Sequence, residues 1–276
     1  MWKNEFIKRC FDNENVDDFS YGMLIKDKHI PNRLYRYRKF NVHSLDEIKN
    51  QHIKVVSPKT FNDLLDTRAK VDFRVMFQGD NPKIKDSYKK HMGNHMTQEK
   101  LDELLSGDDW YDKILREAST QAAKAHNDAK LSPGYIENAL KTVVDKQIIE
   151  INEVAGEMWQ SIVHCCCFSE TKDNNAMWSH YAQNSTGFCI EYDMTKFTHR
   201  DFQRRFMYLV IYTDELPDAT ETIRNRQPQT KTSFLATWVS VHKKTEWSYE
   251  KEWRLIFQGW YKQDTYIRFP AASAIY

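Results

Sequence analysis

The sequence predicts an α+β fold: a mixed or antiparallel sheet core in one 276-residue domain, with a helical insertion at about 81–160. Three observations carry this. Short runs rich in Val, Ile, Tyr, Phe and Trp recur on both sides of the insertion, as strands require. The insertion itself is rich in Lys, Asp, Glu, Ala and Met, and Ile136, Leu140, Val143, Val144, Ile151 and Met158 roughly follow a helical stripe. No strand–helix unit repeats, as a doubly wound sheet would need.

Residues 1–30 read as a short helical lead-in, with Phe6, Ile7 and Cys10 at helical spacing. Asn32–Phe40 ("NRLYRYRKF") alternates Tyr and Arg as a strand does. Ser44 and Glu47 have the spacing of a capping box, opening a short helix to about Asn50. His52–Ser57 is a strand that Pro58 ends, and Lys59–Asp66 is a polar loop carrying Phe61. Three or four helices are expected in the insertion, broken by "SPG" at Ser132–Gly134. Ser161–Glu170 reads as a buried strand, Asn174–Ala182 as a short Asn-capped helix, and Thr186–Asp193 and Phe206–Asp214 as strands. Pro228–His242 reads as a helix, Trp247–Phe257 as a strand and Tyr266–Phe269 as the last strand.

Lys plus Arg total 40 and Asp plus Glu 39, so overall charge gives no sign of a polyanionic partner. Fifteen Phe, fourteen Tyr and eight Trp argue for a folded core. No apolar run is long enough to span a membrane, and the N-terminus "MWKNEFIKRC" lacks a signal peptide's apolar stretch. Five cysteines, three adjacent, do not form a disulfide framework. The expectation is a reduced, cytoplasmic protein.

In a strand over Trp247–Phe257, Glu250, Glu252 and Arg254 share one face. Such a face is either a solvent-facing ion-pair surface or the wall of a polar cleft. Two like carboxylates raise each other's pKa, an Arg lowers them, and the pair can stabilise a developing positive sugar carbon. Arg36 and Arg38 lie on one face of their strand, with Tyr35 and Tyr37 on the other. They form either a charged edge or a phosphate clamp, since guanidinium matches phosphate oxygens and a Tyr ring stacks on a heterocycle. "HCCCFSE" lacks the C-x-x-C spacing of structural zinc, so its cysteines read as small buried hydrophobes. His91 and His95 are four apart, but the zinc-protease Glu is missing and Gly93 weakens a helix there, so no metal is expected. Trp178 and Tyr181 share one side of the short helix after Asn174, and His180 lies where a ligand-facing group could sit.

Four blocks together resemble a bacterial family known as domain of unknown function 2971. They are "LYRYR" at Leu34–Arg38, "SP..FND..D" at Ser57–Asp66, "CFSE…N..MWSHYA….GFCIEYD" at Cys167–Asp193 and "W.YE.EWR" at Trp247–Arg254. Leu64 departs from the Pro that family carries after "FND", and members continue where this chain ends at "AASAIY". The order of an Arg/Tyr strand, a capped helix, a Ser-bearing strand and a late Glu-x-Glu strand also resembles an ADP-ribosyltransferase. That second resemblance implies an ADP-ribosyltransferase-like fold and NAD as substrate, without a metal. Arg36 or Arg38, with Tyr35, would hold the dinucleotide; Ser57, Phe61 and Asn62 would shape the nicotinamide pocket, beside His180 and Tyr181. Glu252 would be the catalytic carboxylate and Glu250 would position the acceptor, which is a protein, a nucleic acid or water. An effector role as a toxin or in phage defence goes with it.

Two other classes stay open. Asn62, Asp63, Asp66, Glu250 and Glu252 would suit a divalent ion in a metal-dependent nuclease. A non-catalytic sensor would bind a nucleotide or partner in the same cleft. The first two readings need the Arg36/Arg38 strand and Glu252 to line one cavity.

Overall fold

The computed structural model describes residues 2–11, 15–73, 75, 82–93, 96–126, 130–225, 235–259 and 265–276. They divide into two compact units, Met1–Ala69 with Gly156–Tyr276, and Lys70–Ala155. The second unit is helical, with helices Pro82–Met92, Gln98–Leu104 and Trp110–His126 and most of a helix over Pro133–Ile162. Pro133 opens that last helix, where its missing N–H costs nothing, and Ser132 Oγ accepts from Tyr135 N–H. Trp110 is fully buried there, edge-on to Tyr88.

The first unit is built on a six-stranded antiparallel sheet, so the fold is α+β. Its order is β10 (Ala272–Ile275), β4 (Phe188–Asp193), β1 (Arg33–Arg38), β3 (Val163–Ser169), β8 (Glu252–Gln258) and β5 (Met207–Leu209). Two small sheets flank it: β2 (His52–Val55) with β9 (Thr265–Arg268), antiparallel, and β6 (Ile211–Thr213) with β7 (His242–Lys244), parallel. Leu34, Cys166, Phe168, Ile190, Tyr192, Trp253 and Leu255 pack one face of the large sheet into a core with Phe6, Phe11 and Phe269. The other face carries a smaller cluster, Tyr37, Met177, Ala182 and Cys189, under the helix Asn175–Tyr181. No helix among the described residues is long and apolar enough to cross a membrane.

Several local expectations are corrected. The lead-in is two helices, Trp2–Phe11 and Val16–Lys28. β1 is an interior strand, not a charged edge. The helix after it starts at Val42 and Asn41, not Ser44, caps it by accepting from Ser44 N–H. Glu47 therefore does not close a capping box. Its carboxylate is buried and accepts from Arg36 Nη1 (3.3 Å) and Arg38 Nη2 (3.0 Å), because one buried and one half-buried guanidinium need a counter-charge more than one helix end needs a cap. Phe206–Asp214 is two strands in different sheets, split at Val210, whose N–H bonds Glu252 C=O. Residues 235–240 are helical but His242 belongs to β7, and 228–234 lie outside the described residues. β10 follows Phe269, beyond the expected last strand.

Two consequences are measurable. A Cβ on Gly187 would collide with Arg38 C=O, a main-chain atom that cannot step aside. Gly187→Ala is expected to destabilise by about 1–3 kcal/mol, read from the urea midpoint. Lys26 is buried and donates to Arg204 C=O and Arg205 C=O, each at 2.8 Å. Burial pushes its pKa down to about 7, with Asp27 acting against this. Between about 7 and the ordinary 10.5, the unfolded chain holds a proton that the folded one has released, so stability should rise with pH in that window. Lys26→Met should flatten the rise, seen in urea midpoints at pH 7 and pH 9.

Candidate functional site

The register of the sheet contains a discontinuity. β3 pairs with β8 along its whole length, from Val163↔Gln258 to Ser169↔Glu252. β1 pairs with β4 over Arg33–Arg38. Yet β1 and β3 are joined only at Tyr35↔Ser169. Beyond that rung they part, and a cavity of about 240 Å³ lies in the gap. Residues 35–38 line one flank and residues 165–169 the other.

Because the gap passes through the sheet, both faces contribute. Tyr35, Ser169 and Glu252 are register partners and share one face, whereas Arg36 and Arg38 project to the opposite one. All of Tyr35, Arg36, Arg38, Phe61, Asn62, Tyr181, Glu250 and Glu252 line this cavity, joined by Lys54 and Lys243. Ser57 and His180 do not line it. Ser57 Oγ donates to Gln160 C=O and accepts from Lys59 N–H, capping a 3-10 turn at Pro58–Thr60. His180 is exposed, with Nδ1 3.1 Å from Tyr249 Oη.

The two glutamates reach the cavity by a route the alternation of a strand does not describe. Thr245–Glu250 is a 3-10 helix, and β8 starts at Glu252. Between them Lys251 has φ 44°, a left-handed backbone uncommon outside Gly, Asn and Asp. Ser169 Oγ donates to Glu250 C=O (2.7 Å) and Asn174 Nδ2 to Tyr249 C=O (2.9 Å), fixing the turn. Glu250 and Glu252 are thus not two steps of one strand face, but they meet at the same cation. Lys243 Nζ donates to Glu250 Oε2 (2.6 Å) and Glu252 Oε2 (3.3 Å).

Behind them Arg254 is fully buried and uses all five of its N–H donors. Nε and Nη2 grip Glu252 (2.8 and 3.0 Å), Nη1 and Nη2 grip Asp66 (2.7 and 2.6 Å), and Nη1 also meets Ser240 C=O (2.8 Å). Three buried carboxylates, Asp66, Glu250 and Glu252, therefore face two cations. The cluster carries one net negative charge when Glu250 is ionised and none when it is protonated.

The two glutamates are driven apart. Burial raises the Glu250 carboxyl, Glu252 beside it raises it further, and Lys243 only partly offsets this, leaving it at about 7. Burial alone would raise Glu252 too, but Arg254 and then Lys243 outweigh it and hold it far below the usual carboxylate range. Tyr181 Oη donates to Glu250 Oε1 (2.6 Å) and accepts from Asn62 Nδ2 (3.3 Å), so the proton-exchanging carboxyl has an ordered neighbour.

The opposite end is cationic. Arg36 and Arg38 share Glu47, and the buried Arg38 Nε–H has no hydrogen-bond partner among the described residues. The oxygens that a divalent ion would need are turned instead to Arg254 and Lys243, and among the described residues no three His, Cys, Asp or Glu side chains are grouped to hold a metal. His91 Nδ1 lies 2.8 Å from Ser87 C=O on its own helix, and His95 lies outside the described residues. Cys165 and Cys166 are buried, while Cys167 is part-exposed beside Glu252.

Sequence reasoning missed Lys243; it set Arg254 beside the glutamates as the group that lowers their pKa, but gave Asp66 only as a metal ligand and not as the second carboxylate held by Arg254. Lys243 stands in "VHKKTEW", where nothing in the local pattern separates it from Lys244. No curated protein and no solved structure matches the chain. Residues 177–255, which carry Tyr181, Lys243, both glutamates and Arg254, match the family model described as "Protein of unknown function (DUF2971)".

Proposed function

We propose that the cavity binds an anionic, nucleotide-like substrate and cleaves an N-glycosidic bond in it, with NAD as that substrate. One observation carries this reading. Two carboxylates of one buried cluster, one held ionised and one poised near neutrality, face a cavity whose other end is lined by Arg36, Arg38 and Lys54. Groups with separated acidities can divide charge stabilisation from proton transfer. The orphaned Arg38 Nε–H fits an anionic group such as a phosphate. The cavity is smaller than the roughly 300 Å³ at which drug-sized pockets begin, so it suits one end of a dinucleotide.

In the proposed step the bond between ribose C1′ and nicotinamide nitrogen breaks, and its electron pair leaves with nicotinamide. The cationic ribose is stabilised by Glu252 and the net negative charge of its cluster. An acceptor O–H then adds to C1′ and gives its proton to Glu250, whose pKa suits a base near neutral pH. With water as acceptor the outcome is NAD hydrolysis; with a protein or nucleic acid it is ADP-ribosyl transfer.

The test is nicotinamide release from NAD, with and without cell lysate as a source of acceptor. Release that Glu250→Gln and Glu252→Gln both suppress supports the reading. No release with any lysate, or release unchanged in both variants, would sink it. Thermal stabilisation by NAD without turnover would instead assign the cavity to sensing.

A further inference from the structure

The gap in the sheet exposes main chain as well as side chains, and hydrogen bonds at its borders fix which groups. Cys165 exchanges both of its main-chain bonds with Val56, on the side of β3 away from β8. Alternate residues of a strand direct these groups the same way, so Cys167 and Ser169 also point away from β8. On β4, Cys189 exchanges bonds with Tyr276, and Asp193 N–H bonds Ala271 C=O, so odd positions serve β10 and even ones serve β1. Arg36 and Arg38 are therefore bound to Ile190 and Phe188, and Tyr35 and Tyr37 point towards β3. Tyr35 finds Ser169. Tyr37 would find Cys167 in the next register step, but that rung is missing. Each leaves an N–H and a C=O facing the cavity with no main-chain partner among the described residues.

We infer that this notch is a recognition site for the amide edge of a planar ring, read by the main chain of Tyr37 and Cys167. Buried main-chain groups are satisfied almost without exception, so unpaired ones in a cavity call for a partner carrying both donor and acceptor. The notch is closed by the Tyr35–Ser169 rung at one end and the Val56–Cys165 bridge at the other. Cys165 to Ser169 spans four residue rises, about 13 Å. An inserted peptide strand would run into both ends, whereas a single ring with an amide or lactam group fits between them. Phe61 and Tyr35 line the same cavity and offer flat apolar surface to such a ring. A carboxamide on a pyridine and the lactam edge of a nucleobase share this chemistry. The inference uses the cavity of the proposed function but not its bond cleavage.

Amide-resolved hydrogen exchange and NMR titration of the whole chain test it, with nicotinamide and uracil as probes and N,N-dimethylnicotinamide and 1,3-dimethyluracil as their blocked counterparts. In the free protein the Tyr37 and Cys167 amides should exchange at least about tenfold faster than those of Arg36 and Phe168, which sit in complete ladders. Nicotinamide or uracil should shift and slow both amides, and the blocked ring should not; which ring does so identifies the source of the edge. Equal protection in the free protein, no shift with either ring at millimolar concentration, or equal shifts with the blocked rings would overturn the inference. Glu250→Gln, expected to lose nicotinamide release, should bind the ring as the parent does, so loss of cleavage and loss of recognition are separately visible.

Discussion

Arg254→Met is expected to destabilise the protein by about 3–5 kcal/mol, the usual cost of stripping one partner from a buried ion pair. Arg254 grips both Asp66 and Glu252 at 2.6–2.8 Å, whereas Lys243 reaches them only at 3.9 and 3.3 Å, and neither carboxylate is exposed enough for water to replace the guanidinium. Adding Asp66→Asn should recover part of the loss, because it removes one of the two charges left behind. Urea unfolding followed by circular dichroism measures both. A cost within about 0.5 kcal/mol, the range of ordinary surface changes, would show that the cluster does not hold the fold. The same variant changes acid behaviour. Glu252 titrates below its unfolded value, so its contribution is complete above the ordinary carboxylate range and is lost as pH falls through its folded pKa. Without Arg254 that acid limb should move up in pH.

Glu250→Gln should have the opposite profile: modest in stability and large in rate. As the proposed base, its loss is expected to lower kcat for nicotinamide release by about 10²- to 10⁴-fold. In the parent, activity should rise with pH through about 7, as Glu250 loses its proton. Gln cannot titrate, so the residual activity of the variant should show no such rise. The stability effect has a definite sign. A carboxyl raised in the folded state makes stability fall with pH between its ordinary value of 4.5 and about 7, and the amide should remove that fall. A rate unchanged by the substitution, or a pH profile that survives it, would take Glu250 out of the proposed chemistry.

The elements that could be read from sequence are those in which local preference and tertiary need agree. β1, β3 and β4 have the branched, aromatic and small buried residues of interior strands, and they lie where the pattern puts them. The ingredients of the cavity were legible as residue types: Arg36, Arg38, Phe61, Asn62, Tyr181, Glu250 and Glu252 all line it. Their arrangement was not. Trp247 and Tyr249 favour a strand on propensity, yet they lie in a 3-10 turn whose geometry depends on the left-handed Lys251 and on distant Ser169 and Asn174. Glu47 has a capping-box spacing, but its fate is set by two guanidiniums on another element. Lys243 becomes central only because β7 brings it to the glutamates. In each case a long-range polar requirement, a hydrogen bond or a charge, outweighs a local preference worth about 1 kcal/mol.

The missing rung between Tyr37 and Cys167 also has a mechanical meaning. The large sheet is two three-stranded ribbons, β10-β4-β1 and β3-β8-β5, stapled at Tyr35–Ser169. Within each ribbon the ladders are continuous enough to move as a body, while the seam between them has a single pair to yield. Under load or partial denaturation the seam, not either ribbon, is where the sheet should first come apart. A bound molecule bridging it would act as a second staple, stiffening the whole sheet from its middle.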